Sequence, residues 1–157
     1  MSITVKAQML IRKPPAEVFN AFVDPAVTTR FWFTKSSGRL EAGKSVRWDW
    51  GMYGVHDEVA VKAIEPHARI VYDWSFPEFT TVEWTFTPRG GDATMVSVVN
   101  SGFKGDEAAV VAQALDATQG FNIVLCAAKA WLEHGVALNA VADKAPDRNV
   151  EGWERRP

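Results

Sequence analysis

The chain has 157 residues, a net charge of −2, 47% hydrophobic residues and 23% charged residues. That is the size of one domain, able to bury roughly two thirds of its unfolded surface without disulfides or metal. The balance excludes extensive disorder, and no basic run offers a field for nucleic acid. The single cysteine and three scattered histidines lack metal-ligand spacing, and neither a Gly-rich phosphate loop nor a Gly-x-Ser-x-Gly elbow is present, so no cofactor or metal is expected.

Ile3, Val5, Ala7, Met9 and Ile11 alternate with polar residues and predict a first strand with one face to the core. Pro14-Pro15 stops it and pre-sets a short helix with Val18, Phe19 and Phe22 on its apolar face. Asp24-Pro25 starts a second, with Asp24 as N-cap, that runs into Phe31-Trp32-Phe33. The period then changes to two and stays there until Ser101. Val46, Trp48 and Trp50 share one face, and Gly51 to Gly54 makes a hairpin. Val55, Asp57, Val59, Val61 and Ala63 form the next inner face. Ile70, Tyr72 and Trp74 follow, then, after a turn at Pro77, Val82, Trp84 and Phe86. Thr94, Val96, Val98 and Asn100 complete the set.

Asp106 caps a segment from Glu107 to about Val141 that reads as one helix. Phe121, Val124, Ala128, Trp131, Gly135 and Leu138 recur at spacings of three and four, widened by Leu125, Leu132 and Val136. Gly120 inside it costs about 1 kcal/mol against alanine, which implies a ring or backbone packed close there or an interruption near Asp116. Cys126, in the apolar part, reads as a small buried hydrophobe. The Gly102 to Gly105 loop with Glu107 to Ala112 is either a lid or the way into the helix.

Strands in a run bounded by helices mean α+β: a curved antiparallel sheet of about six to seven strands around a long C-terminal helix, with two short helices after the first strand. One domain over residues 1–141 is expected, with a polar tail over 142–157 whose Trp153 docks on its own domain or across a dimer. The N-terminus shows no signal pattern and no apolar run approaches ~20 residues, so the expectation is a cytosolic protein with no membrane partner, monomeric or homodimeric.

Three stretches carry a resemblance. They are Arg12-Lys13-Pro14-Pro15-Ala16-Glu17-Val18-Phe19 followed by Asp24-Pro25, and Ile64-Glu65-Pro66 followed by Arg69-Ile70-Val71-Tyr72-Asp73-Trp74. The third is Asn100-Ser101-Gly102-Phe103, then Gly120-Phe121, Leu125, Lys129, Leu132 and Glu133. In order and spacing they resemble the helix-grip, START-like superfamily (the SRPBCC group, Bet v 1-like in fold), and within it the proteins similar to the C-terminal domain of the activator of Hsp90 ATPase. The departures are Phe121, where a tryptophan is common, and Asn100, where a histidine is common. The resemblance implies a curved sheet gripping the C-terminal helix, with a hydrophobic pocket between them in many members, and it implies no single activity.

The candidate site is that pocket. Trp48, Trp50, Tyr72, Trp74, Trp84 and Phe86 from the sheet and Phe121, Leu125 and Cys126 from the helix either line it or fill it. Asp57 on an inner face needs a partner. It orients a polar group of a ligand, or it joins Tyr72 and Asn100 in a structural network. The reading that follows is a domain that binds a small hydrophobic or aromatic molecule between sheet and helix, with no defined catalytic activity. The alternatives are a cyclase- or hydrolase-type enzyme using Asp57 or Tyr72 as acid or base, and a chaperone-associated interaction module.

Overall fold

Among the described residues, seven strands form a single antiparallel sheet in the order β1-β7-β6-β5-β4-β3-β2. They are β1 (Val5–Ile11), β2 (Lys35–Ser36), β3 (Ser45–Trp50), β4 (Val55–Glu65), β5 (Arg69–Trp74), β6 (Thr80–Arg89) and β7 (Ala93–Ser101). The coordinates are a computed structural model that describes residues 2–75 and 79–153, so the turn expected at Pro77 lies outside the described residues. The last strand returns beside the first, Val5 opposite Asn100. Helices α1 (Pro15–Val23) and α2 (Pro25–Thr28) therefore carry the chain from one edge of the sheet to the other. Asp24 caps α2 by accepting from the Ala26 N–H at 3.0 Å, and Pro25 occupies the first turn.

Helix α3 (Glu107–His134) lies across the sheet and is continuous through Gly120. Its length is roughly 42 Å at ~1.5 Å per residue. Phe121, Val124, Leu125 and Ala128 are buried against the sheet, the stripe that the spacing predicts. An 18-residue window of α3 reaches a mean hydropathy of 1.2, so the helix is long and apolar enough to cross a membrane by length and composition only, and the core helices of soluble proteins meet the same test. This is the α+β helix-grip architecture.

Three expectations change. The helix ends at His134, short of Val141, because Gly135 adopts φ 64° and turns the chain left-handed. The Gly135 N–H then donates to Trp131 O at 2.8 Å, and Val136 and Leu138 are left 49% and 46% exposed. Cys126 is exposed because it points away from the buried stripe. Ala63 leaves the inner face: a bulge after Val61 inserts one residue, so Ala63 pairs with outward Val71 while Ile64 pairs with buried Ile70.

Beyond α3 the chain turns back. Asn139, at φ 57°, leads into α4 (Ala140–Asp143), and Ala142 is buried in the core. The Tyr53 hydroxyl, from the 3-10 turn at Gly51–Tyr53, donates to the carbonyls of Val141 and Ala142. The Val150 N–H donates to Met52 O at 2.7 Å, and Trp153 packs its indole nitrogen over Gly51 of the same chain. Gly54, at φ 62°, faces Val150 so closely that a Cβ would lie 2.9 Å from its Cγ1.

The far end of α3 is fixed to β1 by charge. The Arg12 backbone N–H and Lys129 Nζ donate to Glu133 Oε2 at 2.8 and 2.6 Å, and Lys129 also donates to Leu10 O at 2.8 Å. These are residues that the third and first sequence stretches single out. The Glu133 side chain is only 9% exposed. Burial works to raise its pKa, but the hydrogen bonds from Lys129 and Arg12 outweigh that and hold the carboxyl below its ordinary 4.5. A folded-state pKa below the unfolded one stabilises the fold fully above the unfolded value and ceases to do so as pH falls through the folded value. Glu133→Gln is therefore expected to lose about 1–3 kcal/mol in urea denaturation at neutral pH. The gap between the two proteins should close on acidification below about pH 4.5, and a gap that is absent or independent of pH would rule the clamp out.

Candidate functional site

A cavity of about 430 Å³ opens between the concave face of the sheet and the N-terminal half of α3. It exists because the two sides are unequal in bulk. From the helix, Ala112, Ala117 and Gly120 offer almost no side chain, whereas the opposite wall carries Trp50 and Trp74. The two indoles lie within 12° of parallel with centroids 6.1 Å apart. Trp32 and Phe121 meet Trp74 edge-on at 5.8 and 6.0 Å, so the aromatic wall holds its own shape. Gly120 is not a point of close packing: a Cβ placed there meets nothing within 4 Å. The missing side chain is part of the empty space.

Polar groups are few. Asp57 Oδ2 accepts from the Trp74 indole N–H at 2.9 Å. Burial pushes the Asp57 carboxyl above its ordinary pKa, opposed by that hydrogen bond and by nearby His56. Asn100 donates to Thr80 Oγ1 at 3.0 Å and to Thr81 O at 2.9 Å. Gln113 directs its amide nitrogen to Lys104 O and Ala109 O at 2.8 and 3.1 Å, which leaves its Oε1 without a partner among the described residues. Asp116 from α3 and Lys144 from the tail complete the polar rim, and both are exposed.

Of the residues singled out from the sequence, Trp50, Asp57, Trp74, Asn100 and Phe121 are brought together on the cavity wall. Trp48, Tyr72, Trp84, Phe86 and Leu125 share the inner face but form solid core below and beside it. Trp48 stacks on Phe33 at 4.6 Å. Tyr72 is 1% exposed and its hydroxyl accepts from the Trp84 indole at 3.0 Å. Burial drives its phenol far above the ordinary range. Phe86 packs against Phe19 and Phe22, and Leu125 is fully buried. The network of Asp57 with Tyr72 and Asn100 is not formed, because each has another partner. Cys126 is outside the site altogether.

Sequence reasoning missed Trp32, Tyr53, Val141 and Lys144, all of which border the cavity, whereas Phe103, also on its wall, lies in the Gly102 to Gly105 loop expected as a lid or as the way into the helix. Trp32 was legible as the middle of the Phe31-Trp32-Phe33 trio. The tail residues had no signal, because only the chain's return after Asn139 brings them back to Tyr53. Among the described residues no group of three or more His, Cys, Asp or Glu could hold a metal ion.

Residues 12–133 match the family described as Activator of Hsp90 ATPase homolog 1-like protein. The chain belongs to that family. Protein SSP2350 from Staphylococcus saprophyticus is 27% identical, with a TM-score of 0.74 over 87% of this chain and 96% of that one. The Aha1 dimer from Colwellia psychrerythraea is 14% identical, with a TM-score of 0.71 over 85% and 98%. CalU16 from Micromonospora echinospora is 15% identical, with a TM-score of 0.70 over 94% and 84%. The last two establish a common fold. No curated protein matches the sequence. The family match stops before the tail, so the wall contributed by Val141 and Lys144 lies outside it.

With open space in front of it and a helical backbone, Gly120 should accept a methyl group. Gly120→Ala is expected to raise stability by about 1 kcal/mol in chemical denaturation. A loss of stability would place an obstacle where the structure has none.

Proposed function

We propose that this protein binds a small hydrophobic or aromatic molecule in the cavity between the sheet and α3 and carries out no chemistry of its own on it. The observation that carries this reading is the unfilled space itself, about 430 Å³ walled by Trp50, Trp74 and Phe121 and left open by Gly120. Small-molecule sites are of this size and composition, mostly apolar with a few placed polar groups. Few apolar surfaces of this kind are left uncovered inside a domain unless something occupies them.

The enzyme alternative loses half of its machinery. Tyr72 is sealed in the core with its hydroxyl engaged, which removes it as an acid or base. Asp57 alone remains at the wall, and it is held by Trp74. We assign the protein to the cytosol as a monomer or a homodimer, the latter being the form of the Colwellia psychrerythraea relative. A chaperone partner is the second reading, favoured by family membership, and co-purification with an Hsp90-type ATPase that survives blocking of the cavity would support it.

Titration with fatty acids, flavonoids and aromatic polyketides should quench or shift the tryptophan emission, since Trp50 and Trp74 face the site. Gly120→Leu, which places a side chain into the space, should weaken that response at least tenfold while the fold is retained, equivalent to about 1.4 kcal/mol. An unchanged response in the variant would move binding elsewhere, and the absence of any response in the wild-type protein would end the proposal.

A further inference from the structure

The Asp57 carboxylate at the cavity keeps one oxygen open. Asp57 uses Oδ2 on the Trp74 indole, and no hydrogen bond from a described residue reaches Oδ1. Beside it, the Trp74 indole N–H donates to Asp57, the Asn100 amide to Thr80 and Thr81, and the Gln113 amide to two carbonyls.

The charge is likewise one-sided. Asp57 and Asp116 border the cavity against a single ammonium, that of Lys144 at the exposed mouth, and Asp57 forms no ion pair with a described residue. A half-buried carboxylate without a cation is unfavourable in an apolar setting, and a ligand that supplies the cation removes the penalty. The same wall carries the stacked rings of Trp50 and Trp74, and an organic ammonium is attracted to aromatic rings by their quadrupole, the more so when water is excluded.

We propose that the cavity selects flat, apolar molecules that carry a protonated amine, with Asp57 as the counter-charge and the Trp50–Trp74 wall as the surface for the apolar body. This specificity rests on the binding function proposed above and adds to it a preference among ligands of equal size. Asp57 is then a specificity-determining residue, and Gly120 provides the volume.

Three naphthalene probes that differ only in the polar group test this: 1-naphthylmethylamine, 1-naphthylmethanol and 1-naphthoic acid. Each is titrated calorimetrically at neutral pH into the wild-type protein, Asp57→Asn and Gly120→Leu. The wild-type protein should bind the amine roughly tenfold more tightly than the alcohol, with the acid weakest. Asp57→Asn should remove that preference and leave the alcohol within about twofold, and Gly120→Leu should weaken all three together. The order of the probes on the wild-type protein decides the matter even where Asp57→Asn does not fold. An acid or alcohol that binds as tightly as the amine overturns the inference while the binding function stands. If no probe binds, or Gly120→Leu leaves all three unchanged, the binding function itself fails and the inference falls with it.

Discussion

The contact that the rest of this structure depends on is Phe121 against the aromatic face of the sheet. Its ring lies 5.7 Å from Trp84, 6.0 Å from Trp74 and 6.4 Å from Trp32, and it sets the distance at which helix and sheet meet. Toward the C-terminus of α3, Leu125 and Ala128 continue the contact as solid core, and the Glu133 clamp fixes the far end to β1. Toward the N-terminus the next residue is Gly120, followed one turn back by Ala117 and then Ala112. A helix is too stiff to bend into the space that such small residues leave, so the gap persists as a cavity.

Aromatic residues serve two roles here, and the geometry separates them. Trp48, Trp84 and Tyr72 interlock with Phe33, Phe22 and each other, and the polar atom of Tyr72 is satisfied inside the core. Trp50 and Trp74 stack on each other at the boundary and line the open space. The Trp74 indole also holds Asp57 in place, so this carboxylate is oriented by the same residue that forms the wall. Packing and recognition thus share residues, and a substitution at Trp74 would disturb both.

The fold is common to proteins of very different sequence, and two residues of the cavity lining lie beyond the stretch that matches the family. Val141 and Lys144 come from a segment outside the family match and reach the site because Tyr53 and Met52 hold the tail down. Membership of the family accounts for the sheet and the helix. It says little about which molecule fits, since that depends on a few residues at the rim.

The sequence by itself determined the architecture. Alternation over β3 to β7 and the three-four spacing around Phe121 name the inner faces, because a strand or helix can present only one face to a core. The caps at Asp24 and Asp106 were visible in their residue types, whereas Arg12, Lys129 and Glu133 stood out only as part of the family resemblance. Periodicity assigns a face and not a depth, so it could not separate Trp48 and Tyr72, which fill the core, from Trp50 and Trp74, which line a cavity. It also carried the helix past Gly135, because the positive φ that stops it is a backbone choice that the apolar pattern does not register. Whether Gly120 faced a neighbour or empty space, which acceptor atoms stayed open, and what the tail touched were decided only by the tertiary structure. Each depends on distances between segments far apart in the chain, and those distances are set by packing the whole helix onto the whole sheet.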